Sequence, residues 1–224
     1  MDVALAPLAP AWVVATSIAT LVLLGWAAWA APWRRLMASS EAASVWCGSI
    51  FALTVLWSVR AVVQDAMVIH LLGTAGFALA AGAPLALIGG AVVALASALV
   101  HGTPLAHAPA VFLTSVALPA AVALSVLRAS QRLLPPNFFV YTIVACFLGG
   151  ALGCGLAGLA SAVQIALTGA VDPEVVFGDY VPYLLYLAFG EGTLTGMMLT
   201  LAVVYRPQWV ATFDDAFYLH RSGG

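Results

Sequence analysis

Long, uninterrupted apolar runs dominate the chain, and short segments that hold most of the charged residues separate them. A helix needs roughly 20 mostly apolar residues to cross a hydrocarbon core of about 30 Å. The runs are continuous and do not alternate at every second position, which favours helices over a membrane β-barrel. We therefore predict an all-α, polytopic membrane protein with about seven spans, at Ala11–Ala31, Ala43–Val59, Met67–Ala81, Pro84–Val100, Ala108–Leu127, Phe138–Thr168 and Val181–Tyr205.

Several details of this pattern set the expected organisation. The third and fourth runs are the shortest, and a Gly82-Ala83-Pro84 sequence separates them. The fifth run is expected to stop before Arg128 and Arg132. The first run follows an acidic start at Asp2 and is longer than the apolar stretch of a signal peptide, so we expect an anchor that is not cleaved. Residues 1–206 then form one transmembrane domain, and 207–224 form a short cytoplasmic tail.

Composition narrows the class further. The chain has 224 residues, of which 64% are apolar and only 7% are charged, with a formal net charge of −2. An average soluble domain is about 25% charged. Nucleic-acid binding needs a concentrated basic surface, and disorder needs a polar, highly charged chain, so both are excluded. No phosphate-binding loop, nucleophile elbow or HExxH zinc motif occurs, and we predict that the protein is not an enzyme.

The arginines predict how the chain is oriented, because cytoplasmic loops of membrane proteins are enriched in positive charge. Seven spans with the N-terminus outside and the C-terminus in the cytoplasm place six of the seven arginines inside, with only Arg60 outside. The outer side then also holds most of the carboxylates. We therefore expect a multi-pass protein of the bacterial cytoplasmic (inner) membrane, with the lipid bilayer as its surroundings. The six inner arginines are Arg34, Arg35, Arg128, Arg132, Arg206 and Arg221.

The few other polar groups indicate a candidate metal site on the outer side. His70 and Asp65 fall at the outer end of the third predicted span, and His101 and His107 fall in the predicted loop after the fourth. Imidazole together with carboxylate suits divalent transition metals. The histidine spacing matches no established ligand motif. The other interpretation of His101 and His107 is that they are solvated at the lipid headgroups.

Glu191 is the most isolated charge, because it lies about ten residues into the last predicted span. An ionisable group at that depth faces the bundle interior and needs a partner. Two roles are open for Glu191. It is either a residue of a proton or cation pathway, or a packing residue supported by Gly192 and Gly196, whose four-residue spacing permits close helix approach.

Two segments give the chain a resemblance to a known family. His70-Leu71-Leu72-Gly73 and the stretch from Gly190 to Gly196 resemble the CbiM-like membrane components of cobalt- and nickel-uptake transporters of the energy-coupling-factor type. The chain most resembles a branch of energy-coupling-factor transporter permeases. That second resemblance rests on three segments: Ala31-Pro32-Trp33-Arg34-Arg35, the stretch from Leu133 to Tyr141, and the stretch from Val204 to Asp215.

The resemblance implies a substrate-capture subunit that works with a transmembrane coupling protein and cytoplasmic ATPases. It also implies a metal site made by the N-terminal amine, a histidine at position two and the histidine of the His-Leu-Leu-Gly segment. His70 matches that segment, whereas position two is Asp2. A site from Met1, Asp2 and His70, with Asp65 as a further candidate, would be weaker or would select a different ion.

The sequence therefore predicts uptake of a divalent transition-metal ion (nickel, cobalt, zinc or copper) that is substrate and not a covalently bound cofactor. His70 is the principal candidate ligand, and the helpers are Asp2, Asp65, His101 and His107. The alternative is an integral membrane subunit, or assembly partner of other membrane subunits, that kept the fold and lost the metal site.

Overall fold

The apolar runs fold into a helical bundle in the computed structural model, which describes residues 8–63, 67–168 and 172–218. Among these residues, six helices are long and apolar enough to cross a membrane, and three, α2, α4 and α9, are too short. The prediction of a polytopic all-α membrane protein is confirmed. In chain order the helices are α1 (Pro10–Ala30), α2 (Trp33–Ala38), α3 (Ser40–Ser58), α4 (Thr74–Ala81), α5 (Ala83–His101), α6 (Leu105–Leu133), α7 (Val140–Leu167), α8 (Pro173–Tyr205) and α9 (Asp215–Tyr218).

The third predicted span is not a membrane-spanning helix, and that prediction is wrong. Its first residues form the strand β2 (Met67–Ile69), which pairs antiparallel with β1 (Ala61–Val63), and Ala61 lies opposite Ile69. Helix α4 begins only after Gly73, whose φ of +66° is a left-handed conformation that favours glycine. With eight residues α4 rises about 12 Å, less than half the thickness of a hydrocarbon core.

The segment nevertheless carries the chain from one end of the bundle to the other. Leu79 and Ala80 lie at the end of α4, and their carbonyl oxygens accept hydrogen bonds from the Thr212 hydroxyl and the Ala211 amide, both at 2.7 Å. Those two donors follow α8 in the chain. The end of α4 therefore lies beside the end of α8, and the order of crossings expected from the sequence is kept.

A second contact fixes the same end of the bundle. The Trp209 indole, just after α8, donates a 2.8 Å hydrogen bond to Oε1 of Glu41 at the start of α3. We call this end of the bundle the Arg end, because five of the arginines lie in or next to the helix ends that meet here. Which end faces the cytoplasm stays a prediction. The five are Arg34, Arg35, Arg128, Arg132 and Arg206.

Three boundaries differ from those predicted. Helix α6 continues to Leu133 and includes Arg128 and Arg132, so the expectation that it stops before them is wrong. Long arginine side chains at a helix end can extend to the membrane–water interface. The helix can therefore continue beyond the end of its apolar run. The last span starts at Pro173, about two turns before Val181. His101 is the last residue of α5 and does not lie in a loop.

Proline 119 shows how the core accommodates irregular backbone inside an apolar bundle. Pro119 has no amide hydrogen, so the carbonyl of Ser115 four residues earlier loses its usual helical partner. The hydroxyl of Thr74, the first residue of α4, donates to that carbonyl at 2.8 Å. A turn of π-helix at Leu113–Ala117 ends two residues before Pro119. Helix α4 is thereby joined to α6 at the point where α6 is irregular.

Helices α7 and α8 approach closely where α8 carries Gly192. A Cβ atom at that position would lie 2.7 Å from the backbone oxygen of Phe147 and 3.0 Å from the Cβ atom of Ala151. Because backbone atoms cannot move aside cheaply, we expect Gly192→Ala to lower the free energy of unfolding by about 1–3 kcal/mol. Thermal unfolding in detergent micelles measures the change.

The control for this prediction is Gly48→Ala in α3, where an added Cβ meets nothing within 4 Å. Alanine is a better helix former than glycine, so this control should be stabilised by about 0.5–1 kcal/mol. The close contact is contradicted if the two variants unfold at the same temperature.

Candidate metal centre

His70 lies in the extended segment between β2 and α4, and only 3% of its surface is exposed. Its ring packs beside the indole of Trp57, with 4.9 Å between the ring centroids. Its Nδ1 atom lies 3.0 Å from the carbonyl oxygen of Leu71. Because a carbonyl only accepts, we assign a proton to Nδ1. A histidine that binds a metal through its other ring nitrogen commonly donates to a backbone carbonyl in this way.

The backbone after His70 is held by side chains from two long helices. The Trp57 indole of α3 donates a 2.8 Å hydrogen bond to the carbonyl oxygen of Leu72. The Glu191 carboxylate of α8 accepts from the amides of Leu72, at 2.8 Å, and Gly73, at 2.6 Å. Non-helical backbone at membrane depth is tolerated only where the surrounding protein satisfies it, and these contacts do so.

Glu191 is completely buried, and its hydrogen bonds from the Leu72 and Gly73 amides bring it into the same structural unit as His70. Both amides lie at the N-terminal end of α4, where the helix dipole favours negative charge. Each oxygen of the carboxylate therefore has a backbone donor. A role of Glu191 in a cation pathway stays a prediction, while its contact with the Leu72–Gly73 backbone is a feature of the fold.

His101 and His107 lie at the same end of the bundle as His70, opposite the Arg end. His101 closes α5, and His107 lies in the first turn of α6. Nε2 of His101 and Nδ1 of His107 are buried with no hydrogen-bond partner among the described residues. His107 also lines a cavity of about 10 Å³ with Ser97 and Thr103, which has room for about one water molecule.

The proposed ligand set is only partly visible. Asp2 and Asp65 lie outside the described residues. Within residues 8–63, 67–168 and 172–218, no three His, Cys, Asp or Glu side chains form a group that could hold a metal ion. The structure therefore places His70, His101 and His107 at one end of the bundle, and the complete ligand set stays a prediction.

Sequence reasoning missed the residues that support His70. Trp57, the Leu72 and Gly73 amides, and the Thr74 hydroxyl were not recognised as part of this region. One signal was available, because a proline inside a long apolar helix leaves a carbonyl that needs a donor from elsewhere. The contact between Glu191 and Gly73 joins residues 118 positions apart, and no local pattern encodes it.

Comparison with known proteins supports the resemblance seen in the sequence. A sequence model of the CbiM family, described as the cobalt uptake substrate-specific transmembrane region, matches residues 5–209. A transition metal transporter of known crystal structure shares 17% sequence identity and a TM-score of 0.74, and the match covers 90% of this chain and 92% of that one. A truncated transition metal transporter shares 15% sequence identity and a TM-score of 0.76. That match covers 91% of this chain and 98% of the other.

At these identities the likeness to the solved structures shows a shared fold. A search of curated proteins gives no match to the chain.

Proposed function

Because the chain belongs to the CbiM family and is a transporter component and not an enzyme, we propose that it captures a divalent transition-metal ion for uptake, with His70 as a central ligand. The observation that carries the proposal is the buried His70 ring, whose Nδ1 atom lies 3.0 Å from the carbonyl oxygen of Leu71. The segment that holds His70 is fixed by bonds from α3 and α8.

The other ligands are proposed from the sequence. Asp2 would replace the histidine that the family carries at position two, and Asp65 is a further carboxylate near His70 in the chain. His101 and His107 are helpers at the same end of the bundle, each with an unpartnered buried nitrogen among the described residues. A mixed imidazole and carboxylate set binds nickel, cobalt, zinc and copper, so the ion is left to measurement.

The proposed orientation places this end outside the bacterial inner membrane, with the Arg end in the cytoplasm. Arginine enrichment at one end supports it by the positive-inside rule. A capture subunit without its own ATP-binding motif needs partners that hydrolyse ATP, so we further propose a transmembrane coupling protein and cytoplasmic ATPases. Their co-purification with the full chain from a native membrane tests this part separately.

Metal binding by the purified full chain tests the site directly. We expect stoichiometric binding of at least one ion among nickel, cobalt, zinc and copper by isothermal titration. His70→Ala should weaken binding by at least about tenfold, because even changes behind a ligand cost 10–100-fold in metal affinity. His220→Ala, in the predicted tail, is the matched control and should bind as the wild type does.

Two outcomes contradict the proposal. Equal binding by the wild type and His70→Ala would place the ion elsewhere, and the same titration of His101→Ala and His107→Ala would then locate it. No binding by the wild type would favour the alternative, an integral membrane subunit without a metal site. The specific observation that keeps this alternative in view is Asp2 at the position of the family histidine.

A further inference from the structure

A cavity of about 400 Å³ opens at the Arg end, at the opposite end of α4 from His70. Helix α2, the start of α3, the end of α4 and the segment after α8 enclose it. Its interior is mostly apolar and includes Leu36, Val45, Phe77 and Leu85. Cavities of 300–1,000 Å³ with apolar walls and a few polar groups are typical of small-molecule sites.

The cavity carries one positive and one negative side chain that do not neutralise each other. Arg35 and Glu41 both line it, and both are exposed. Oε1 of Glu41 accepts from the Trp209 indole at 2.8 Å, which holds the carboxylate at the wall of the cavity. In the part of the chain that the structure describes, Arg35 has no ion-pair partner, and Oε2 of Glu41 accepts no hydrogen bond. The cavity therefore has at its wall one side chain that can bind an anion and one that can bind a cation.

The location points to an amphiphile. Helix α2 has six residues and connects two membrane-spanning helices, so it lies at the level where the spans end and the lipid headgroups begin. Trp46 and Trp209 also line the cavity, and tryptophan favours this level of the membrane. A molecule with a polar head and an apolar chain would place its head at Arg35 and Glu41 and its chain along Leu36 and Phe77.

We propose that this cavity binds a phospholipid whose headgroup carries both a phosphate and a primary ammonium, as in phosphatidylethanolamine. Arg35 would bind the phosphate, since a guanidinium can donate two parallel hydrogen bonds to phosphate oxygens. Oε2 of Glu41 would accept from the ammonium. A headgroup with no cation leaves Glu41 facing a second negative charge, and a quaternary ammonium cannot donate to it. The proposal does not rest on metal transport.

Native mass spectrometry of the purified full chain tests it, with equal amounts of phosphatidylethanolamine, phosphatidylglycerol and phosphatidylcholine of identical acyl chains. We expect phosphatidylethanolamine to be retained preferentially. Arg35→Gln should lower its retention about two- to fivefold, the effect of losing one exposed charge pair. The neighbouring Arg34→Gln removes the same charge from a residue that does not line the cavity, so it should retain the lipid as the wild type does.

Two further variants test recognition of the lipid headgroup and binding of the acyl chain. Glu41→Gln keeps an oxygen for Trp209 but removes the charge, and it should shift the preference towards phosphatidylglycerol. Val45→Phe fills the cavity and should release the lipid, whereas Val55→Phe, exposed on the same helix, should not. Soluble phosphoethanolamine at the same concentration should not compete, because it lacks the acyl chains that make the apolar contacts with the cavity. Equal retention of the three lipids, or equal loss in Arg34→Gln and Arg35→Gln, would overturn the proposal.

Discussion

Replacing Glu191 with alanine should lower the free energy of unfolding by roughly 2–6 kcal/mol, because the Leu72 and Gly73 amides lose their acceptor. The carboxylate accepts from Leu72 and Gly73 at 2.8 and 2.6 Å, and its side chain is completely buried. A donor that loses its acceptor in a protein interior costs about 1–3 kcal/mol.

Denaturant unfolding in mixed micelles measures this change, and two variants calibrate it. Thr193→Ala lies two residues along α8, where the hydroxyl is exposed and bonds only to the Phe189 carbonyl of its own helix. A substitution of that kind should alter stability by no more than about 0.5 kcal/mol. Glu191→Gln keeps one acceptor oxygen but turns an amide group towards the other donor. Its loss of stability should therefore lie between those of Thr193→Ala and Glu191→Ala.

The same variants separate the two roles considered for Glu191. A packing residue costs stability when it is removed, and the variant that still folds should transport in proportion to its folded fraction. A pathway residue stops transport in Glu191→Gln even when the protein is fully folded. Equal unfolding free energies for Glu191→Ala and Thr193→Ala would contradict the structural role of the two amide bonds.

Sequence reasoning predicted the six long spans because hydrocarbon imposes a length and an apolar composition that a helix of about 20 residues satisfies. It failed over Met67–Ala81, although this run is as apolar as its neighbours. The reason is physical, since extended backbone can lie inside a membrane protein only when distant groups satisfy it. The donors and acceptors for Leu72 come from Trp57 and Glu191, which lie 15 and 119 positions away.

In the candidate site too, single residues could be predicted from the sequence but the contacts between distant residues could not. His70 and Glu191 could each be nominated alone, because an ionisable group in an apolar chain is costly and stands out. The contact between Glu191 and the segment that follows His70 could not be predicted, because it is made through backbone amides, which nearly every residue has. Asp2 and Asp65 are named by the sequence alone and stay predictions.

Trp57→Ala should be the second variant with a large effect, at about 3–5 kcal/mol of unfolding free energy. Trp57 is 1% exposed and is among the largest fully buried side chains of the described residues. Truncating a buried tryptophan of this size leaves a cavity whose cost lies in that range. It also removes the donor to the Leu72 carbonyl and the ring beside His70. Trp29→Ala, at a position 86% exposed on α1, is the matched control and should change little.

Trp57→Phe separates the hydrogen bond from the volume. Phenylalanine keeps most of the buried ring beside His70 but cannot donate to Leu72, so the unfolding free energy should fall by about 1–3 kcal/mol. If that bond positions the His70 segment, the metal affinity of the folded variant should fall about tenfold, as for other residues that support a ligand. Unchanged affinity with reduced stability would instead limit Trp57 to packing. Because titration reports only folded protein, the two measurements distinguish a site that is misaligned from a bundle that is weakened.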